Sequence, residues 1–89
     1  TLSTLSQQAV AAYADGRYVE TILALEERAR LAPEQTDPMM LRGWSYFKLG
    51  RLADARRIFE AVARTGLPEG DKGLAAVAAE QAGFGGGRF

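Results

Sequence analysis

Glycine and proline do not fall at random along these 89 residues but gather at Asp15-Gly16, from Pro33 to Pro38, at Leu49-Gly50, from Gly66 to Gly70, and from Gly83 onward. Such residues interrupt regular structure, because glycine adopts turn conformations freely and proline removes a backbone donor. The intervals left between them run about Leu2 to Ala14, Tyr18 to Leu31, Pro38 to Leu49, Leu52 to Thr65, and Asp71 to Ala82. Each is roughly 12 to 16 residues long, which suits a helix. Alanine is the commonest residue within them, valine and isoleucine are scattered, and no stretch alternates apolar and polar residues for long. The expected fold class is all-α.

Several boundaries have physical causes. Asp37 before Pro38 offers a capping oxygen ahead of a residue whose φ is already helical, and Asp71 offers the same to the last segment. Gly66 and Gly83 stand where a left-handed residue closes a helix. The links are so short that neighbouring helices must double back as antiparallel hairpins.

The segments also repeat. Asp15-Gly16-Arg17-Tyr18 returns as Leu49-Gly50-Arg51-Leu52, and at the same 34-residue offset Ala9 matches Gly43, Leu25 matches Phe59, and Ala29 matches Ala63. From Gly43 onward the pattern reads Gly43-x2-Tyr46-x3-Gly50-x-Leu52-x2-Ala55-x3-Phe59. Period and pattern together resemble the tetratricopeptide repeat (TPR) family. The first repeat is the looser match, with Ala12 at the tyrosine position and Thr21 at a usually small one; in the second, Met39 and Arg42 replace the first-helix Trp and Leu, and the closing proline is displaced to Pro68.

That resemblance implies a short α-solenoid of about five helices in one domain over residues 2–83. Repeat one would span 2–35, repeat two 36–69, and a capping helix 71–83, whose Ala75, Ala76 and Ala79 would form the packed face. Residues 84–89 read as a flexible Gly-rich tail. It also implies that the first helix of each repeat lines an inner surface. The inner positions would be Ser3, Ser6, Val10, Tyr13 and Ala14; then Asp37, Met40, Leu41, Trp44, Phe47 and Lys48; and finally Val77, Ala78 and Gln81. Met39, Gly43 and Tyr46 would go to the core.

The third segment is apolar nearly all round, and Met40, Trp44 and Phe47 share one stripe. The surplus stripe suits a groove that receives an apolar or amphipathic peptide, with Val10, Tyr13, Met40, Trp44 and Phe47 as contacts and Lys48 and Gln81 at the rim. It equally suits internal packing of Trp44 and Phe47 against the first and last helices. The capture of a partner's C-terminal carboxylate by inner Lys and Asn residues, known in some members of the family, is not expected, because Ser6, Val10, Met40 and Trp44 occupy those positions.

Composition narrows the chemistry. Eleven basic residues balance eleven acidic ones, without the cationic surplus that nucleic-acid binding needs. There is no cysteine and no histidine, hence no thiol nucleophile and none of the commonest general base. The serines have no base to activate them, and Glu26 and Glu27 point about 100 degrees apart on a helix, better placed to pair with Arg30 than to share a proton. Arg51, Arg56, Arg57 and Arg64 form a mildly basic strip interleaved with Asp54 and Glu60.

The expectation is a protein interaction module and not an enzyme, with no cofactor, metal, small-molecule substrate, nucleic acid or membrane insertion. Self-assembly within a larger repeat protein is the alternative. The run Gly43-Trp44-x-Tyr46-x2-Leu49-Gly50-Arg51, followed by an Ala-rich helix, is similar to repeats of bacterial envelope scaffolds, including polysaccharide-secretion proteins. No apolar run is long enough to span a membrane. The start at Thr1 shows no signal sequence, a piece of a longer protein is the favoured reading, and the compartment, cytoplasmic or periplasmic, stays open.

Overall fold

The computed structural model describes residues 1–83; the expected Gly-rich tail at 84–89 lies outside them. Five α-helices follow one another: α1 Leu2–Ala14, α2 Tyr18–Leu31, α3 Thr36–Lys48, α4 Leu52–Arg64 and α5 Pro68–Gln81. The described residues contain no strand. Each helix packs on the next, and in addition α3 packs on both α1 and α5. The backbones of α1 and α2 do not approach those of α4 and α5.

Two starts differ from the sequence expectation. Helix α3 begins at Thr36 and α5 at Pro68, so Asp37 and Asp71 lie inside first turns and neither caps a helix. The reason is electrostatic and steric: a carboxylate in the first turn already complements the positive end of the helix, and proline at the first helical position sacrifices no hydrogen bond.

The two links between hairpin partners are near copies. Gly16 and Gly50 take φ of 78° and 81°. The amide of Gly16 donates to Tyr13 and that of Arg17 to Ala12, at 3.0 and 2.8 Å. Gly50 donates to Phe47 and Arg51 to Tyr46, at 3.0 and 2.9 Å. These paired bonds satisfy the orphan carbonyls of a helix end. Arg17 then pairs with Glu20 and Arg51 with Asp54, each three residues on. Gly66 and Gly83 also take positive φ, as expected.

The core is centred on Phe59 of α4, which is fully buried. Its ring lies against two glycines from different helices. A Cβ on Gly43 of α3 would come within 2.7 Å of Phe59 Cε1, and one on Gly73 of α5 would fall inside the contact surface of the ring. Gly70 sits equally close to the α4 backbone at Ala63. Helix α5 therefore packs through Gly70, Gly73 and Val77. This corrects the expectation that Ala75, Ala76 and Ala79 form the packed face: Ala75 and Ala79 are exposed and Ala76 is half-buried. Glycine permits a closer helix approach than alanine, and the large Phe59 ring demands it. Val77, expected on the inner surface, is 1% exposed and belongs to the core. Gly43 and Tyr46 are buried as expected, and Met39 is half-buried against the same cluster.

In the first hairpin the matching positions hold Ala9 and Leu25, both buried. A smaller knob thus accompanies a larger neighbour. Gly43→Ala alone should destabilise the domain by about 1–3 kcal/mol through overpacking. Adding Phe59→Leu, which recreates the first hairpin's pair, should recover part of that loss; chemical denaturation of the single and double variants measures it, and strictly additive losses would refute the complementarity.

Candidate functional site

The side of the molecule formed by α1 and α3 carries three adjoining depressions. The first, on α1, is lined by Ser6, Gln7, Val10 and Ala11. Ser6 and Val10 also line the second, of about 260 Å³, together with Leu25 and Arg28 of α2 and Gln35, Asp37, Pro38 and Leu41. Asp37 and Leu41 pass into the third, of about 360 Å³, whose remaining walls are Tyr13, Thr36, Met40, Trp44 and Glu69. Shared lining residues make this one trough, with the inner sides of α1 and α3 as its walls.

The trough gathers four of the site residues expected from sequence: Val10, Tyr13, Met40 and Trp44. Val10 is 60% exposed, whereas Tyr13, Met40 and Trp44 are half-buried. Trp44 serves two surroundings. Its ring leans on Phe59 with centroids 4.9 Å apart and meets the edge of Phe47 at 5.4 Å, yet it still lines the trough. Tyr13 stands edge-on to Tyr18 at 5.4 Å, and burial, followed by the proximity of Tyr18, raises its pKa.

The structure does not bring Phe47, Lys48 and Gln81 into the trough. Phe47 is half-buried and packs against the core cluster, as Met40 and Trp44 also do, but unlike them it does not line the trough. Lys48 and Gln81 are exposed near the ends of their helices. Of the other inner positions, Ser6, Asp37 and Leu41 line the trough, whereas Ser3, Ala14 and Ala78 are exposed and do not.

The trough also contains Leu25, which the 34-residue period matches only to Phe59, and two residues that periodicity did not single out, Arg28 and Gln35. Arg28 donates from Nε to Ser6 Oγ at 3.1 Å, and its Nη1 is buried without any hydrogen-bond partner. Helix spacing gave no hint of this, since no acidic residue stands three or four positions from Arg28.

A second polar cluster lies between α2 and α3, away from the trough. Arg42 makes a two-pronged pair with Glu34, at 2.9 and 2.7 Å, with both side chains largely covered. Tyr46 donates its hydroxyl to Glu26 at 3.0 Å, and Arg51 lies 4.9 Å over its ring. Glu26 and Glu27 part company as expected: Glu27 pairs with Arg30, whereas Glu26 serves Tyr46. Arg42 therefore ties the α2–α3 link down. Thr21 is fully buried, and its hydroxyl donates to the Arg17 carbonyl at 3.0 Å. Arg51 and Arg57 both pair with Asp54, so the basic strip is partly neutralised. No group of three or more potential metal ligands occurs among the described residues.

No family model matches the chain, and no curated protein or solved structure matches it.

Burial, then the Glu26 hydrogen bond, raises the Tyr46 pKa, with Arg42 opposing. A raised folded value means the neutral phenol is favoured in the fold. Its stabilisation is fully present below the ordinary value of 10.0 and is lost as pH rises through the higher folded value. The melting temperature should fall as pH is taken from 9 to about 11. Tyr46→Phe should make that fall shallower; an unchanged slope would show that Tyr46 is not a source of it.

Proposed function

We propose that this chain is a TPR-like helical-repeat module that binds a peptide or helix of a partner protein in the trough between α1 and α3. The observation that carries the reading is the continuity of that trough past three half-buried apolar side chains, Tyr13, Met40 and Trp44. Aromatic anchors of this kind dominate protein recognition, because each buries a large area at little entropic cost. The solenoid reading draws on the 34-residue recurrence of helix starts, Leu2 to Thr36 and Tyr18 to Leu52, and on the packing of α1, α3 and α5 side by side. Binding is non-covalent, with no catalytic step, and the bacterial envelope scaffold stands as one setting for such a module.

The test uses peptides selected against the domain from a displayed library of random twelve-residue sequences. Binding should shift the fluorescence of Trp44, the single tryptophan. Met40→Asp and Tyr13→Ala, on opposite walls, should each weaken binding tenfold or more while helical circular dichroism is retained. Peptides that bind both variants as tightly as the wild type would refute the groove. Trp44→Ala should in addition lower stability by about 2–3 kcal/mol, because the ring leans on Phe59 as well as facing the trough.

Self-assembly is favoured by a different observation. Val19 and Leu23 of α2, one helical turn apart, are 56% and 59% exposed. If copies associate through α2, sedimentation equilibrium should show a dimer that Leu23→Asp dissolves; a monomer at every accessible concentration excludes this route.

A further inference from the structure

Among the described residues, Arg28 is the half-buried guanidinium that lacks a carboxylate. Arg17, Arg30, Arg42, Arg51 and Arg57 each pair with Asp or Glu, and Arg56 and Arg64 are exposed to water. Arg28 spends only Nε, on the neutral Ser6 hydroxyl, and leaves Nη1 covered and unpaired. A buried donor without an acceptor is unfavourable, and more so when it is charged. Nη2 makes no hydrogen bond to the protein and is not enclosed as Nη1 is. The guanidinium thus lines the trough with two of its three nitrogens uncommitted.

The charges around it are arranged in order. Arg28 stands in the middle depression, Asp37 at the junction with the next, and Glu69 in the wall beyond, beside Met40 and Trp44. Neither Asp37 nor Glu69 forms an ion pair with a described residue. From Arg28 the trough passes Asp37 in the same depression and then Met40 and Trp44 beside Glu69, so both carboxylates lie on one side of the guanidinium. Its floor does not stop at Arg28, because Ser6 and Val10 carry it onward along α1.

Building on the groove reading, we infer that Arg28 is the specificity-determining anchor for an acidic side chain of the bound segment. The partner is a peptide with a carboxylate at one end of its contact, large apolar side chains in the middle, and a basic residue toward Asp37 and Glu69. A carboxylate meeting Arg28 hydrogen-bonds the open Nη2 and compensates the charge of a guanidinium whose Nη1 stays covered. Because the trough continues past Arg28, the carboxylate comes from a side chain within the segment and not from a chain terminus. Asp37 restricts the subsite to one negative charge, since a second would meet it.

The same twelve-residue library, selected on the wild-type domain and separately on Arg28→Glu, tests this. Wild-type binders should share an Asp or Glu at a fixed spacing from their apolar residues, and lose tenfold or more in affinity on Arg28→Gln and several-fold on Arg28→Lys. Amidating the C-terminus of the wild-type binders should leave affinity unchanged. Binders selected on Arg28→Glu should carry Lys or Arg at the acidic position. Circular dichroism and Trp44 fluorescence report whether each variant folds and where peptide binds. Peptides that shift Trp44 but lack the acidic residue, or bind Arg28→Gln unchanged, overturn the anchor and leave the groove standing. Loss of affinity on amidation overturns the side-chain assignment. No enrichment, or binding without response to Met40→Asp, overturns the groove and the anchor with it.

Discussion

The ring of Phe59 holds three helices in one contact. It projects from α4 and is flanked by Gly43 from α3 and Gly73 from α5, at separations into which a Cβ fits only if the ring or a helix shifts. Each helical glycine is unfavourable by about 0.5–1 kcal/mol relative to alanine. The buried aromatic surface outweighs that penalty, since full burial of a phenylalanine side chain contributes about 1.5–3 kcal/mol. Because Trp44 leans on the same ring, the position of one trough wall is inherited from this core contact. Overpacking beneath Phe59 would therefore be felt at a surface two side chains away.

The two hairpins solve one turning problem twice and one packing problem differently. Gly16 and Gly50 close their helices with the same left-handed residue and the same pair of backbone bonds. Arg17 and Arg51 then reach the same distance forward to a carboxylate. The interior diverges: Ala9 and Leu25 in one hairpin, Gly43 and Phe59 in the other. Turn geometry is dictated by a few backbone torsions, whereas packing needs only a conserved sum of volumes. The α4–α5 link does not copy these two, because Pro68 starts α5 early and Leu67 before it is extended.

How much of this could be read from the sequence depends on the range of the forces involved. The five helices were legible because their breaks are local: a glycine at positive φ or a proline at a first turn acts on its own neighbours. The starts of α3 and α5 were misplaced by two or three residues, since aspartate stabilises a first turn as well as a cap. In the trough, Met40 and Trp44 were legible from periodicity on α3, and Val10 and Tyr13 only from the repeat resemblance. Arg28, Leu25 and Glu69 were not, because they enter from other helices, and their arrival depends on interhelical angles that no single-helix pattern encodes. Phe47 shows the converse, a residue on the same stripe that packs on the core without lining the trough.

Every backbone contact between the first hairpin and the last two helices passes through α3. That helix is consequently the axle of the molecule: α2 and α4 make no backbone contact of their own, so the backbone path between the first hairpin and the last two helices runs along it. Its trough-facing side is also the wall against which α1 can tilt. Anything wedged between α1 and α3 acts as a chock, stiffening the bending mode of the whole array without altering any turn.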